Sequence, residues 1–283
     1  MNRTINSGPN KNAVRISAVT PFQAELPFTG FSAKFVVSGK ESYQIKGKSY
    51  ILESGEYLVG NANTIATIDI NGKGITQGIC IDVSEQIISE VAEYYFKHTS
   101  EVKEFITGEQ FLVNKYKSHN THLGYALKEI NQQLSSGNIH NFLLDGELFY
   151  SLAESIIADQ RLIYEQFTKL NYKNQATKEA LFRQLLVAKD FIDEQYLMDL
   201  NLNNIVQNAF ISKYHFIRLF KSTFNLSPYQ YLIGKRLMQA KIMSCERQRI
   251  PEVAVKIGYA DLADFSKAFK ACFGFPPSAA YIK

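Results

Sequence analysis

The sequence is poor in the residues that build metal centres and disulfide frameworks. Its 283 residues include three cysteines, Cys80, Cys245 and Cys272, odd in number and far apart. That spacing argues for a reducing compartment and against a disulfide scaffold or a cysteine zinc site. There are five histidines, at 98, 119, 122, 140 and 215, and none lies among the alternating segments of the first 85 residues. A metal-dependent enzyme built on a β-barrel there is therefore not expected. His119 and His122 are three apart but lack neighbouring cysteine or acidic partners, so they read as surface residues. No run approaches the roughly 18 apolar residues of a membrane span. The opening residues Met1 to Pro9 lack the apolar core of a signal peptide. The expectation is a cytoplasmic protein with no metal, no cofactor and no membrane partner.

What is present is ordinary in bulk and uneven in detail. At 46% hydrophobic and 20% charged, the composition is that of a globular protein long enough for two domains. The net charge is only +4, yet residues 200–283 hold twelve Lys/Arg against four acids, a local +8. The rest of the chain is acidic. Such asymmetry points to a nucleic-acid partner for the C-terminal third.

Up to about residue 85 the pattern is that of short strands. Tyr43 and Ile45, Tyr50 and Leu52, Tyr57 and Val59, then Ala66, Ile68 and Ile70, then Ile79, Ile81 and Val83 alternate, with Lys46-Gly47-Lys48 and Glu53-Ser54-Gly55 between runs. Asn71-Gly72 is a strong hairpin signal. Strands with turns at such intervals predict an antiparallel sandwich or barrel. A barrel of this size can enclose one small ligand. Tyr43, Tyr50 and Tyr57 are the candidate lining residues, although tyrosine at strand spacing more often packs. The ligand-binding residues are otherwise unknown at this level.

The period then becomes helical. Ile87, Ile88, Val91, Ala92 and Tyr95 fit one helix, and Leu123, Leu127, Ile130 and Leu134 fit another. Leu148, Phe149, Leu152, Ala153, Ile156, Ile157, Ile163, Tyr164 and Phe167 form a longer apolar stripe. Spacing alone allows either a dimerisation helix or a cover for the barrel. The polar stretch Asn171–Thr177 is the expected domain boundary. The organisation is a sensor barrel over 1–85, a helical extension over 86–172, and a C-terminal domain over 177–283.

In that last domain Thr177 is an N-cap candidate, and Leu181, Phe182, Leu185, Leu186 and Phe191 follow. A second helix spans Asn201–Ala209, then a turn at Phe210-Ile211, then a helix opened by Ser212, whose hydroxyl suits an N-cap. Phe216, Leu219 and Phe220 form its buried stripe, while Lys213, Tyr214, Arg218 and Lys221 occupy the other face. Two short helices around a tight turn are a helix-turn-helix. The pattern repeats after about 49 residues. Ser212 falls on Asp261, Arg218 on Lys267, Phe220-Lys221 on Phe269-Lys270, Phe224 on Phe273 and Pro228 on Pro277. One structural unit is used twice, at about 201–222 and 250–271, with a longer helix from Tyr229 to about Cys245 between.

Those residues carry a resemblance. Val253-Ala254, Gly258-Tyr259, Asp261, Phe265-Ser266-Lys267-Ala268-Phe269-Lys270, Phe273-Gly274 and Pro277 resemble the second motif of AraC/XylS-family transcriptional regulators. Ser212, Arg218-Leu219-Phe220-Lys221, Pro228, Tyr231, Arg236-Leu237 and Ala240 resemble the first. Val206 and Phe210 stand where the family has small residues, and Asp264 where it has an aromatic.

The resemblance implies an α+β chain: an N-terminal cupin-like antiparallel β-barrel with helices, then an all-α domain with two helix-turn-helix motifs. It implies a sequence-specific regulator of transcription, not an enzyme. The expected partners are double-stranded DNA, a small-molecule effector, a second copy in a homodimer, and RNA polymerase. The alternative is the same DNA binder with a ligand-independent assembly module at its N-terminus. For the first groove the expected DNA-binding residues are Ser212, Lys213, Tyr214, Arg218 and Lys221. Arg218 is placed for a bidentate bond to guanine or for phosphate. For the second they are Leu262, Ala263, Ser266, Lys267 and Lys270. Leu262 and Ala263 would meet thymine methyls, Lys221 and Lys270 phosphate or the ends of their own helices, and Asp264 either a cytosine amine or, by repulsion, the backbone.

Overall fold

The computed structural model describes residues 2–7, 12–72, 74–95, 100–136 and 147–282, so His98 and His140 lie outside the described residues. The chain divides into two compact units, Met1–Tyr164 and Glu165–Lys283. No helix among the described residues is long and apolar enough to cross a membrane.

The first unit opens with nine strands: β1 (Asn2–Ser7), β2 (Ala13–Val19), β3 (Phe22–Pro27), β4 (Phe31–Ser38), β5 (Lys40–Ile45), β6 (Lys48–Glu53), β7 (Glu56–Gly60), β8 (Ile65–Ile70) and β9 (Thr76–Val83). Helices α1 (Glu85–Tyr95) and α2 (Ser100–Thr107), strand β10 (Asn114–Lys117), and helix α3 (His122–Ser135) follow, then α4 (Glu147–Thr168), whose last turn belongs to the second unit. The strands form two antiparallel sheets, in the orders β1-β2-β9-β4-β7-β10 and β3-β8-β5-β6. The expected barrel is thus a pair of open sheets, with no ladder between them among the described residues.

Asn71-Gly72 does not close the hairpin its sequence suggests. Strand β8 pairs with β3 and β5, whereas β9 pairs with β2 and β4, so this turn carries the chain from one sheet to the other. The tight hairpin is at Lys46-Gly47, where φ is 46° and 75° and Ile45 faces Lys48. Positive φ at both positions gives the turn a twist that matches its strands.

Burial separates the faces. Phe31, Ala33 and Phe35 of β4 with Ile79 and Ile81 of β9 form a buried apolar face. Helices meet it through an aromatic chain, Phe31 to Phe111 at 5.7 Å, Phe111 to Phe105 at 6.2 Å, and Phe105 to Tyr164 at 5.4 Å. The stripe of α4 (Leu148, Phe149, Leu152, Ala153, Ile156, Ile157, Ile163, Phe167) is buried within the chain. Tyr95, expected in the α1 stripe, is instead 55% exposed, and its hydroxyl donates to Glu154 at 2.8 Å. His122 pairs with Asp159 at 2.9 Å, and Asp159 also accepts from the His122 and Leu123 amides at the start of α3.

The second unit is helical: α5 (Gln175–Gln195), α6 (Leu202–Ala209), α7 (Lys213–Phe224), α8 (Pro228–Cys245), α9 (Ile250–Lys256) and α10 (Leu262–Phe273), closed by a 3-10 turn at Pro277–Ile282. The cap of α5 is Asn174, not Thr177: the Asn174 side-chain Oδ1 accepts from the Thr177 amide at 2.9 Å. Thr177 therefore sits one turn inside. Ser227 and Gln230 form a reciprocal capping box at the start of α8, and Pro228 occupies the first turn, where no amide is needed.

Two cores flank α8. On one side Phe182, Leu185 and Ile192 of α5, Ile205 and Ala209 of α6, and Phe216 and Phe220 of α7 are buried with Leu232 of α8. On the other, Leu237 and Ala240 of α8 cluster with Val253, Ala254, Ile257, Phe265, Phe269 and Ala280. A polar node ties α8 to α5. The Asp193 carboxylate, with its side chain 6% exposed, accepts from Lys235 at 2.8 Å, Lys189 at 3.1 Å and the Tyr231 hydroxyl at 2.8 Å. Burial alone would raise the Asp193 pKa, but the two lysines and Tyr231 outweigh it and hold the carboxyl below its ordinary range.

Asp193→Ala is expected to destabilise this unit by about 2–3 kcal/mol, below the ~3–5 of a fully buried pair because both lysines are partly exposed. Because the folded pKa is depressed, the ionised form's contribution is complete above the unfolded value, about 3.9. It is lost as pH falls through the lower folded value. Denaturant melts from pH 5 downward should therefore show a shallower acid loss in Asp193→Asn than in the wild type.

Candidate functional sites

Both helix-turn-helix units are built by the same devices. In the first, Asn201 caps α6 in a reciprocal box with Asn204, at 3.0 and 3.1 Å. The chain turns at Phe210, φ 53°, and α7 ends at Asn225, φ 62°. In the second, Pro251 lies in the first turn of α9, the chain turns at Gly258, φ 86°, and α10 ends at Gly274, φ 79°. The hearts of the two units match in distance. Phe216–Phe220–Phe224 stack at 5.5 and 4.6 Å, and Phe265–Phe269–Phe273 at 5.7 and 4.7 Å. Tyr231 lies 5.9 Å from Phe220, as Phe275 does from Phe269.

The opposite faces are solvent-exposed. On α7 these are Ser212, Lys213, Tyr214 (81% exposed), Arg218 and Lys221; on α10, Leu262 (43% exposed), Ala263, Asp264, Lys267 and Lys270, with Ser266 half-buried. The residues expected to contact DNA thus gather on one face of each helix. Two details differ from expectation. Ser212 holds the N-cap position but its hydroxyl makes no capping bond. Its counterpart Asp261 does cap, accepting from Ala263 and Asp264 amides at 2.7 and 2.9 Å. Lys213 donates to Asn203 Oδ1 at 3.0 Å, so it is tied to α6.

Arg236 has a role the sequence did not reveal. Its guanidinium donates to the Tyr196 and Met198 carbonyls at 2.7 and 2.8 Å, just beyond the end of α5. A Cβ built at Gly258 would come within 3.1 Å of the same guanidinium. Arg236 therefore joins the end of α5 to the turn of the second unit.

In the N-terminal unit a cavity of about 330 Å³ lies between the sheets. Cross-strand register aligns Arg15 with Cys80 and Cys80 with Lys34, which places Arg15, Cys80 and Lys34 in one row. Asp82 accepts from Arg15 and Ser32 and lies 3.8 Å from Lys34 Nζ, which also donates to Cys80 Sγ. Burial opposes the charge on Lys34, yet Cys80 and Asp82 hold its pKa above the usual value. From the other sheet come Glu41, Tyr43, Phe22, Ile68 and Ile70. The Tyr43 hydroxyl donates to Glu41 at 2.6 Å, and burial pushes the Glu41 carboxyl up against the pull of Tyr43 and Lys34. Of the three candidate tyrosines only Tyr43 lines this space. Tyr57 is buried with its hydroxyl 2.7 Å from Thr121 Oγ1, and Tyr50 donates to the Val113 carbonyl at 3.3 Å.

Residues 205–280 match a family model described as a helix-turn-helix domain. That span runs from inside α6 to the final turn and takes in both units. The matched span is similar to the helix-turn-helix domain of AraC/XylS-family regulators. Among curated relatives it is similar to the Msm operon regulatory protein of Streptococcus mutans, 30% identical over 50% of this chain and 48% of that one. It is also similar to the raffinose operon transcriptional regulatory protein RafR of Pediococcus pentosaceus, 30% identical over 52% of this chain and 56% of that one. An uncharacterized regulator of Bacillus subtilis, YbfI, is 25% identical over 80% of this chain and 75% of that one. The match spans only 38% of a further relative, LumQ of Photobacterium leiognathi, so the chain covers about half or less of most of these proteins. Among solved structures, ToxT from Vibrio cholerae covers 94% of this chain at 12% identity and a TM-score of 0.39, a likeness that supports no functional argument.

The turns of the two helix-turn-helix units differ in one telling way. Gly258 adopts positive φ freely, whereas Phe210 does so with a side chain 85% exposed. The left-handed region costs a non-glycine residue ~1–2 kcal/mol, and an exposed ring recovers little of that by burial. Phe210→Gly is therefore expected to raise stability by about 0.5–1 kcal/mol, once glycine's greater unfolded-state entropy is set against the relief. The measurement is the denaturant midpoint; a fall of similar size would mean that the ring packs.

Proposed function

We propose that this chain is a sequence-specific, DNA-binding transcriptional regulator whose N-terminal cavity receives a small-molecule effector. One observation carries the reading. An exposed helix face carrying basic residues is built twice, in units with matching aromatic hearts, on the two cores that share one helix. The 18 residues of α8 make a rod about 27 Å long, a fitting spacer for recognition helices in successive major grooves ~34 Å apart. The local charge of +8 supplies the electrostatic footprint. Homodimerisation and contact with RNA polymerase belong to the same reading, as does a division of labour between an N-terminal sensor and a DNA-binding domain over about 177–283.

Within the DNA interface the residues take different roles. Arg218 has no side-chain partner among the described residues, so its fork is free for a guanine edge. Tyr214 stands beside it, one turn back on the same face. Lys221, Lys267 and Lys270 are exposed cations suited to phosphate. Leu262 and Ala263 offer apolar contact, and Asp264 places a negative charge on α10 that weakens the second unit's hold on the backbone.

Capture of genomic fragments by the full chain, followed by binding titrations on the recovered site, tests this. Arg218→Ala is expected to cost ~1–3 kcal/mol on that site and to relax preference at one base pair. Lys270→Ala should weaken all sequences about equally and reduce the salt slope by about 1. Capture of fragments with no shared motif would contradict the regulator reading.

A further inference from the structure

We propose that residues 167–172, running from the last turn of α4 towards α5, form a strap that fixes the rotation of the first recognition helix, α7, with Tyr172 as its positioning residue. This rests on the DNA-binding reading above and deepens it. The part of the chain that reads DNA then begins at about residue 165, ahead of α5, instead of 177.

The strap is itself held from behind. Phe167 and Leu170 are buried. The Phe167 ring meets Phe182 of α5 at 5.4 Å, and the Lys178 ammonium stands 4.4 Å from its centre. The Leu170 amide donates to the Phe167 carbonyl at 3.1 Å, and the Tyr172 amide to the Leu170 carbonyl at 3.2 Å. From this base the strap reaches both ends of α7. The Tyr172 hydroxyl lies 2.8 Å from His215 Nε2, in the first turn. Lys169 Nζ donates to Asn225 Oδ1 at 3.3 Å, at the residue that ends α7 with φ 62°. The earlier strap residue meets the later end of the helix, so strap and helix run antiparallel.

These contacts bear on rotation. An α-helix turns about 100° per residue. Lys213 and His215 are two residues apart, so they point about 160° apart. Phe216 lies between them on the buried side and Tyr214 between them on the exposed side. Lys213 is tied to Asn203 of α6 on one flank, and His215 to Tyr172 on the other. Bonds on both flanks oppose a roll of α7 over its apolar stripe in either direction. Arg218 follows His215 by three residues and stands beside it on the helix surface. The Tyr172 contact thus sets where the Arg218 fork points.

No such strap holds the second unit among the described residues. The 49-residue offset puts Asp264 in the place of His215 and Gly274 in that of Asn225. Asp264 is bonded through its amide, to Asp261, and not through its carboxylate. Gly274 has no side chain to hold.

The test is a set of binding titrations with the full chain on its recovered site, each base pair substituted in turn, beside thermal melts. Tyr172→Phe removes one hydroxyl and leaves the ring. It is expected to weaken binding about three- to tenfold and to leave Tm within about 2 °C of wild type. Discrimination should relax only in the block where Arg218→Ala also relaxes it. His215→Ala should reproduce that pattern. In an Arg218→Ala background Tyr172→Phe should cost less than about twofold more, because both changes act through one guanidinium. A loss spread evenly over both blocks overturns the strap. So does unchanged affinity, and so does full additivity with Arg218→Ala, which would mean that Tyr172 touches DNA by itself. Failure of the wild-type chain to prefer any sequence overturns the DNA-binding reading and the strap with it.

Discussion

Everything in the helical C-terminal unit depends on one helix being buried from two directions. Helix α8 gives Leu232 to the first core and Leu237 and Ala240 to the second. A helix that serves two cores cannot keep one apolar stripe, and α8 shows none: Ile233 and Met243 pack while Met238 and Ile242 are exposed. Its fixed position follows from polar contacts that apolar packing alone would not give. The Asp193 node anchors its first half to α5. Arg236, on the carbonyls beyond α5 and against Gly258, anchors its middle to the second unit. Spacing between the two helix-turn-helix units is then a property of a rod pinned in its first half and at its middle, not of a flexible linker.

The reason the C-terminal half was legible in the sequence is that its information is local and repeated. Phenylalanines three or four residues apart, capping residues before each helix, and prolines at matching places recur at one offset, and each has a short-range physical meaning. What stayed hidden was long-range. Arg236 looked like one more cation along a helix, yet its partners are 38 and 40 residues earlier in the chain. The Ser212 and Thr177 caps failed for a related reason. Residue type permits a cap, but local geometry selects which oxygen reaches the free amides, and Asn174 holds that position for α5.

The N-terminal half was legible only as strands. Alternation gave the segments and their inward residues, including Tyr43, Ile68 and Ile70. It could not say which strands pair, so Asn71-Gly72 looked like a hairpin although it links different sheets. It also hid the cavity. Arg15, Lys34, Glu41 and Asp82 are charged residues that a pattern reading places outside, and only cross-strand register brings Arg15, Cys80 and Lys34 into one row. The burial of Lys34, Glu41 and Asp82 is tolerated because each finds an opposite charge or a hydroxyl within the same space.

The most direct test of the central claim, that α8 holds the two recognition helices at a fixed spacing, is to change the DNA instead of the protein. Once a bound site with two conserved blocks is in hand, about 5 bp, half a helical turn, is inserted between them. Affinity of the full chain is then compared at equal salt. A rigid α8 predicts that one helix loses its groove and that affinity falls at least tenfold, with recovery when the insertion is extended to a full turn only if a second protein copy bridges the gap. Unchanged affinity with the half-turn insertion would contradict the account.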